Sequence, residues 1–117
     1  MYIGVTTNNN LAPTNADGRV VDAAFTITHM TACAAVSIFV APPPQFQVQL
    51  YASTNGGITY AAVPGVAATI NTALSNVVSI PVPAALIASG TSLVVGFKQT
   101  VGGSGFGGLQ VSAAFSG

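Results

Sequence analysis

The segment Gln45-Phe46-Gln47-Val48-Gln49-Leu50-Tyr51 alternates polar and apolar residues one by one. A period of two places successive side chains on opposite faces of a strand, so Phe46, Val48 and Leu50 are predicted to face a core and Gln47 and Gln49 to face outward. Val20 to Thr28 alternates more loosely and also predicts a strand. Cys33 to Ala41 is a nearly continuous apolar run, predicted as a core strand closed by Pro42-Pro43-Pro44. Asn55-Gly56 suits the positive φ of a hairpin turn, with Ile58 to Val63 returning. Pro64-Gly65 predicts another turn. Further strands are predicted over Val66 to Thr72, Asn76 to Val82, Thr91 to Thr100 and Leu109 to Phe115, while Ala84 to Ser89 is predicted to be a connector or a single helical turn. At the front, Tyr2 to Thr7 is β-prone and is followed by Asn8-Asn9-Asn10, Pro13 and Asp17-Gly18. The chain thus divides into an N-terminal arm and linker, 1–18, and a β-sandwich domain, 19–117. About eight short antiparallel strands with turn signals between them predict an all-β sandwich or barrel.

Charge changes the picture more than hydrophobicity does. Of 117 residues, half are hydrophobic and only 3% are charged, against roughly 25% in ordinary domains. The charged set is Asp17, Arg19, Asp22 and Lys98, with a net charge of zero. Nucleic-acid binding needs many Lys or Arg to displace counterions, so it is not expected. Nor is there a basic patch for anionic lipid. No apolar run reaches the roughly 18 residues of a membrane helix. Met1 to Thr7 lacks the basic start and long apolar stretch of a secretory signal. Near-zero net charge also removes the repulsion that keeps copies of a soluble protein apart.

The residues that could carry chemistry are few. His29 and Cys33 could each ligate a metal, but a structural zinc site wants four ligands, and no metal or cofactor is expected. Cys33 as a nucleophile would need a base, and on a strand His29 lies some 13 Å away. With one His in the chain, no Ser has a His–Asp set. Asp17 and Asp22 flank Arg19 and suggest a salt-bridged linker rather than an acid pair. The glycine run Gly102 to Gly108 contains Gly103-x-Gly105, but no Lys follows, so it is expected to be a hairpin loop and not a phosphate cradle. The chain is therefore not expected to be an enzyme.

The run Phe46-Gln47-Val48-Gln49-Leu50-Tyr51-Ala52-Ser53-Thr54, then Tyr60-Ala61-Ala62-Val63-Pro64-Gly65, resembles the C-terminal domain of BclB-type bacterial exosporium glycoproteins. The likeness continues through Val78-Ser79-Ile80-Pro81-Val82, Thr91 to Phe97 and Gly108 to Ser112. The resemblance implies a jelly-roll-like antiparallel β-sandwich on the spore surface that tends to form homo-oligomers. No collagen-like Gly-X-Y stalk precedes it in this sequence.

Together these readings predict an extracellular, self-assembling structural subunit of a spore-surface filament, appendage or layer. Its expected partners are copies of itself and other spore-surface proteins, with no nucleic acid and no membrane span. Sheet edges are usually guarded by Lys or other charges, and only Lys98 is available for that. The arm residues Tyr2, Ile3, Val5, Thr6 and Thr7 are the candidates for adding as a strand to a neighbour. Gln47 and Gln49 are the candidate outer-face contacts. Two rival functions share the sandwich: a trimeric knob that binds a ligand or receptor, and a viral shell or decoration protein.

Overall fold

The computed structural model describes residues 2–6, 19–35, 45–72, 74–101 and 110–117. Within them the chain is all-β, without a helix. The strands are β1 (Tyr2–Thr6), β2 (Arg19–Val20), β3 (Phe25–Ala35), β4 (Gln45–Ser53), β5 (Ala61–Asn71), β6 (Val77–Ile87), β7 (Ser92–Val101) and β8 (Gln110–Ser116). They form two antiparallel sheets. The first is built on β8-β3-β6, with β1 along the free edge of β8. The second is built on β7-β4-β5, with the two-residue β2 beside β7.

The core lies between the sheets. Phe46, Val48 and Leu50 of β4 are fully buried there, as the alternation predicts. They meet Ile27, Met30, Val66, Ile70, Val95, Phe97 and Phe115. Phe46 and Phe97 pack edge to face, with centroids 6.3 Å apart and planes at 75°. This geometry sets the positive ring edge of one against the negative face of the other.

Three sequence expectations are corrected. The strands predicted over Ile58 to Val63 and Val66 to Thr72 are one strand, β5, and Pro64-Gly65 is a bulge inside it rather than a turn. The register shows this directly: Gln49 pairs with Ala67, and Tyr51, two residues on, pairs with Ala62. Ala84 to Ile87 is neither connector nor helical turn but the second half of β6, which runs through Pro81 and Pro83. Proline breaks a central ladder but is tolerated on an edge strand, and both strands are edges. Finally, β3 covers parts of two predicted strands in one span, Phe25–Ala35. The expectations for residues 36–41, the glycine run 102–108, Asp17 and Thr7 fall outside the described residues.

Candidate assembly surfaces

The arm residues Tyr2 to Thr6 form β1. It pairs with β8 of its own chain, Tyr2 opposite Ala114, Val5 opposite Ser112 and Thr6 opposite Val111. The register shifts between Tyr2 and Gly4. β1 thus closes the edge that β8 would otherwise present on this flank.

Gln47 and Gln49 lie on the face of β4 opposite Phe46, Val48 and Leu50, both half-buried. They differ in what they do. Gln47 stands between Thr69 of β5 and Lys98 of β7. Gln49 Nε2 donates to the carbonyls of Leu50 at 2.9 Å, Val63 at 3.0 Å and Val66 at 3.2 Å. Two of these carbonyls bracket Pro64-Gly65, so Gln49 clips the β5 bulge to β4. It is a structural residue of this sheet as well as an outward-facing one.

Further along the same outer face, Tyr51 and Val94 are buried although they sit outside the core between the sheets. Here the β4–β5 loop is held by its own side chains. Asn55 Oδ1 accepts from Ser53 Oγ at 2.7 Å and from the Thr59 backbone N–H at 3.0 Å. Tyr60 Oη and Ser92 Oγ share a bond of 2.9 Å. Burial pushes the Tyr51 hydroxyl up from the usual tyrosine range.

The outer face of the other sheet brings together residues that the sequence kept apart. Ser79 Oγ lies 2.7 Å from His29 Nε2 and 2.9 Å from Thr31 Oγ1. The pairing follows from the β3–β6 register, in which Thr31 sits opposite Ser79. The cluster is exposed, with no carboxylate in it. Cys33 lies on β3 beyond it, half-buried and unpaired. Among the described residues no three His, Cys, Asp or Glu side chains cluster as metal ligands. No helix is long and apolar enough to cross a membrane.

Two open grooves flank β5 and β6. One, of about 340 Å³, is lined mainly by apolar groups, among them Ala52, Val63, Pro64, Leu86 and Ile87. A smaller one, about 130 Å³, runs past Thr69, Leu74 and Val77. The first holds only the hydroxyls of Thr54 and Thr91 as polar side chains.

The geometry defines a class: an antiparallel two-sheet β-sandwich whose N-terminal strand supplies one edge. Compared with known proteins, the chain matches no family profile, no curated protein and no solved structure.

Proposed function

We propose that this chain is a non-catalytic structural subunit that assembles with copies of itself, its β1 exchanging onto β8 of a neighbouring copy, at the surface of a bacterial spore. The observation that carries the reading is the seat of β1. It is an end strand, held along an edge and tethered by a linker-like sequence. Residues 7–18 reach about 40 Å when extended, whereas the molecule measures 42 × 27 × 19 Å. The tether is therefore long enough to deliver β1 across the 27 Å width to another copy. An exchanged strand makes the same ladder in the neighbour as at home, so exchange loses few contacts. Handing β1 from each copy to the next is a head-to-tail contact, which propagates as a filament unless it closes into a ring. The nearly uncharged composition adds nothing that would hold copies apart.

We read the sandwich as a jelly roll. The sheet orders β1-β8-β3-β6 and β2-β7-β4-β5 support this, because each connection after β2, except the β4–β5 hairpin, crosses from one sheet to the other, as in a double Greek key. The spore-surface placement rests on the resemblance to the exosporium domains. A ligand-binding knob is the weaker reading. Such a site gathers several convergent polar groups around a pocket, and the larger groove offers two threonine hydroxyls.

The test uses the full chain. Adjacent residues of a strand direct their N–H groups to opposite edges, so the double variant Gly4→Pro/Val5→Pro removes at least one donor facing β8. The wild type should form filaments or rings under electron microscopy. The variant should keep a β-type circular dichroism spectrum and sediment as an 11.6 kDa monomer. A monomeric wild type, or assemblies unchanged in the variant, would overturn the proposal.

A further inference from the structure

A four-stranded sheet has two edges, and a strand-exchanging subunit must control both. On one flank the edges are β1 and β2; on the other they are β5 and β6. Charge guards neither of the second pair: Lys98 lies on β7, between β2 and β4. What β5 and β6 carry instead is proline. β6 contains Pro81 and Pro83, and β5 contains Pro64. Proline within a sheet is confined to edge strands, strand starts and bulges, because it cannot donate to the ladder. Each of these prolines removes a backbone donor from an edge strand.

Both strands are also irregular at these prolines. In β6 the register jumps between Ile27, opposite Ala85, and His29, opposite Pro81. In β5 it jumps across residues 63–66. A bulge bends its strand and interrupts the flat ladder that edge pairing copies. The two bulges then meet across the flank. Gly65 has φ +76° and lies so close to Pro83 that a Cβ on it would stand 2.8 Å from Pro83 Cγ. The Gln49 amide holds the β5 bulge in that place from the other side, through Val63 and Val66.

We infer that strand addition to this subunit is one-sided: the β5–β6 flank is sealed by interlocked proline bulges, and a second copy can dock an extended strand only on the flank that carries β1 and β8. The inference rests on the strand-exchange reading and adds a direction to it. Growth is linear, and lateral pairing of sheets is blocked by backbone chemistry.

Three full-chain variants separate the two ideas. Pro81→Thr/Pro83→Thr restores two N–H groups with a good strand former. In the otherwise wild-type chain it should thicken or branch the filaments. Combined with Gly4→Pro/Val5→Pro it should restore association, giving about twice the monomer mass or more by sedimentation. If the arm-blocked variant alone still assembles, the exchange reading fails. If that variant is monomeric and the combined variant is also monomeric with an intact β spectrum, the sealed-flank inference fails. Hydrogen exchange on the wild type covers the case in which the threonine variants do not fold. The amides of Ala61, Ala62, Ala84 and Ala85 should exchange within about threefold of the same rate before and after assembly. A larger gain in protection there would mean that copies pair through the β5–β6 flank and would overturn the inference.

Discussion

Replacing Gln49 by Leu should destabilise the domain by about 2–3 kcal/mol, because the amide is bonded to carbonyls inside it. Its two N–H bonds are spread over three oxygens, at 2.9, 3.0 and 3.2 Å. Each net hydrogen bond contributes about 0.5–1.5 kcal/mol, and a carbonyl left without its donor costs about as much again. Leu50 and Val66 are fully buried and Val63 nearly so, which limits rescue by water. Urea unfolding followed by circular dichroism measures the effect. With a slope of about 1–3 kcal/mol per molar, the midpoint should fall by about 0.7–3 M. Gln47→Leu, on the same face and one pleat away, is the control and should stay within about 0.5 kcal/mol of wild type. Gln49→Glu sharpens the test. A carboxylate there would face carbonyl oxygens, so its charged form is disfavoured and its folded pKa lies above the unfolded value of about 4.3. A raised folded pKa means that stability is fully present below the unfolded pKa and is lost as pH rises through the folded one. The Glu variant should therefore approach wild-type stability near pH 4 and fall behind it toward pH 7. If Gln49→Leu matches Gln47→Leu within about 0.5 kcal/mol, the amide is not a clip and the argument for a pinned bulge is wrong.

Phe97→Ala removes a ring that is 1% exposed and packed edge to face on Phe46; it should cost about 3–5 kcal/mol in the same unfolding assay, and a loss below about 1.5 kcal/mol would mean that this end of the core collapses onto the cavity. Tyr51 gives a pH dependence at the alkaline end. Burial raises its folded pKa above the ordinary tyrosine value of about 10, so its contribution is complete below that value and is lost as pH rises through the folded pKa. Unfolding free energy should decline with pH above about 10 in the wild type, and Tyr51→Phe should make that decline shallower; equal slopes would refute the assignment.

How much of this was legible beforehand depends on how local the signal is. The alternation of Gln45 to Tyr51 identified the buried face of β4, because period two is written in consecutive residues. The sandwich itself followed from short apolar segments punctuated by turn residues. Pro64-Gly65, Pro81 and Pro83 misled, because proline signals a turn and an edge bulge alike. Only the sheet order decides between them, and sheet order is set by residues far away in sequence. The same holds for His29 and Ser79, fifty positions apart in the chain. It holds for Gln49 too, whose outward position was predicted but whose partners on β5 were not. Tyr51 is buried on the outward face, which alternation within β4 cannot indicate.

The prolines also bear on how so uncharged a chain can persist as discrete subunits. With two basic and two acidic residues, it has almost no means of keeping sheet edges apart by repulsion. A lysine guard acts through a solvated charge and weakens as salt screens it. A missing N–H is missing at every salt concentration and pH, and so is the steric contact of Gly65 with Pro83. A flank sealed in this way would work under conditions in which a charged edge would not. The cost is confined to two edge strands, each with a neighbour on one side only. On the opposite flank the same logic runs the other way. β8 offers a regular ladder, and what covers it is β1, the strand that the proposal has exchanging between copies.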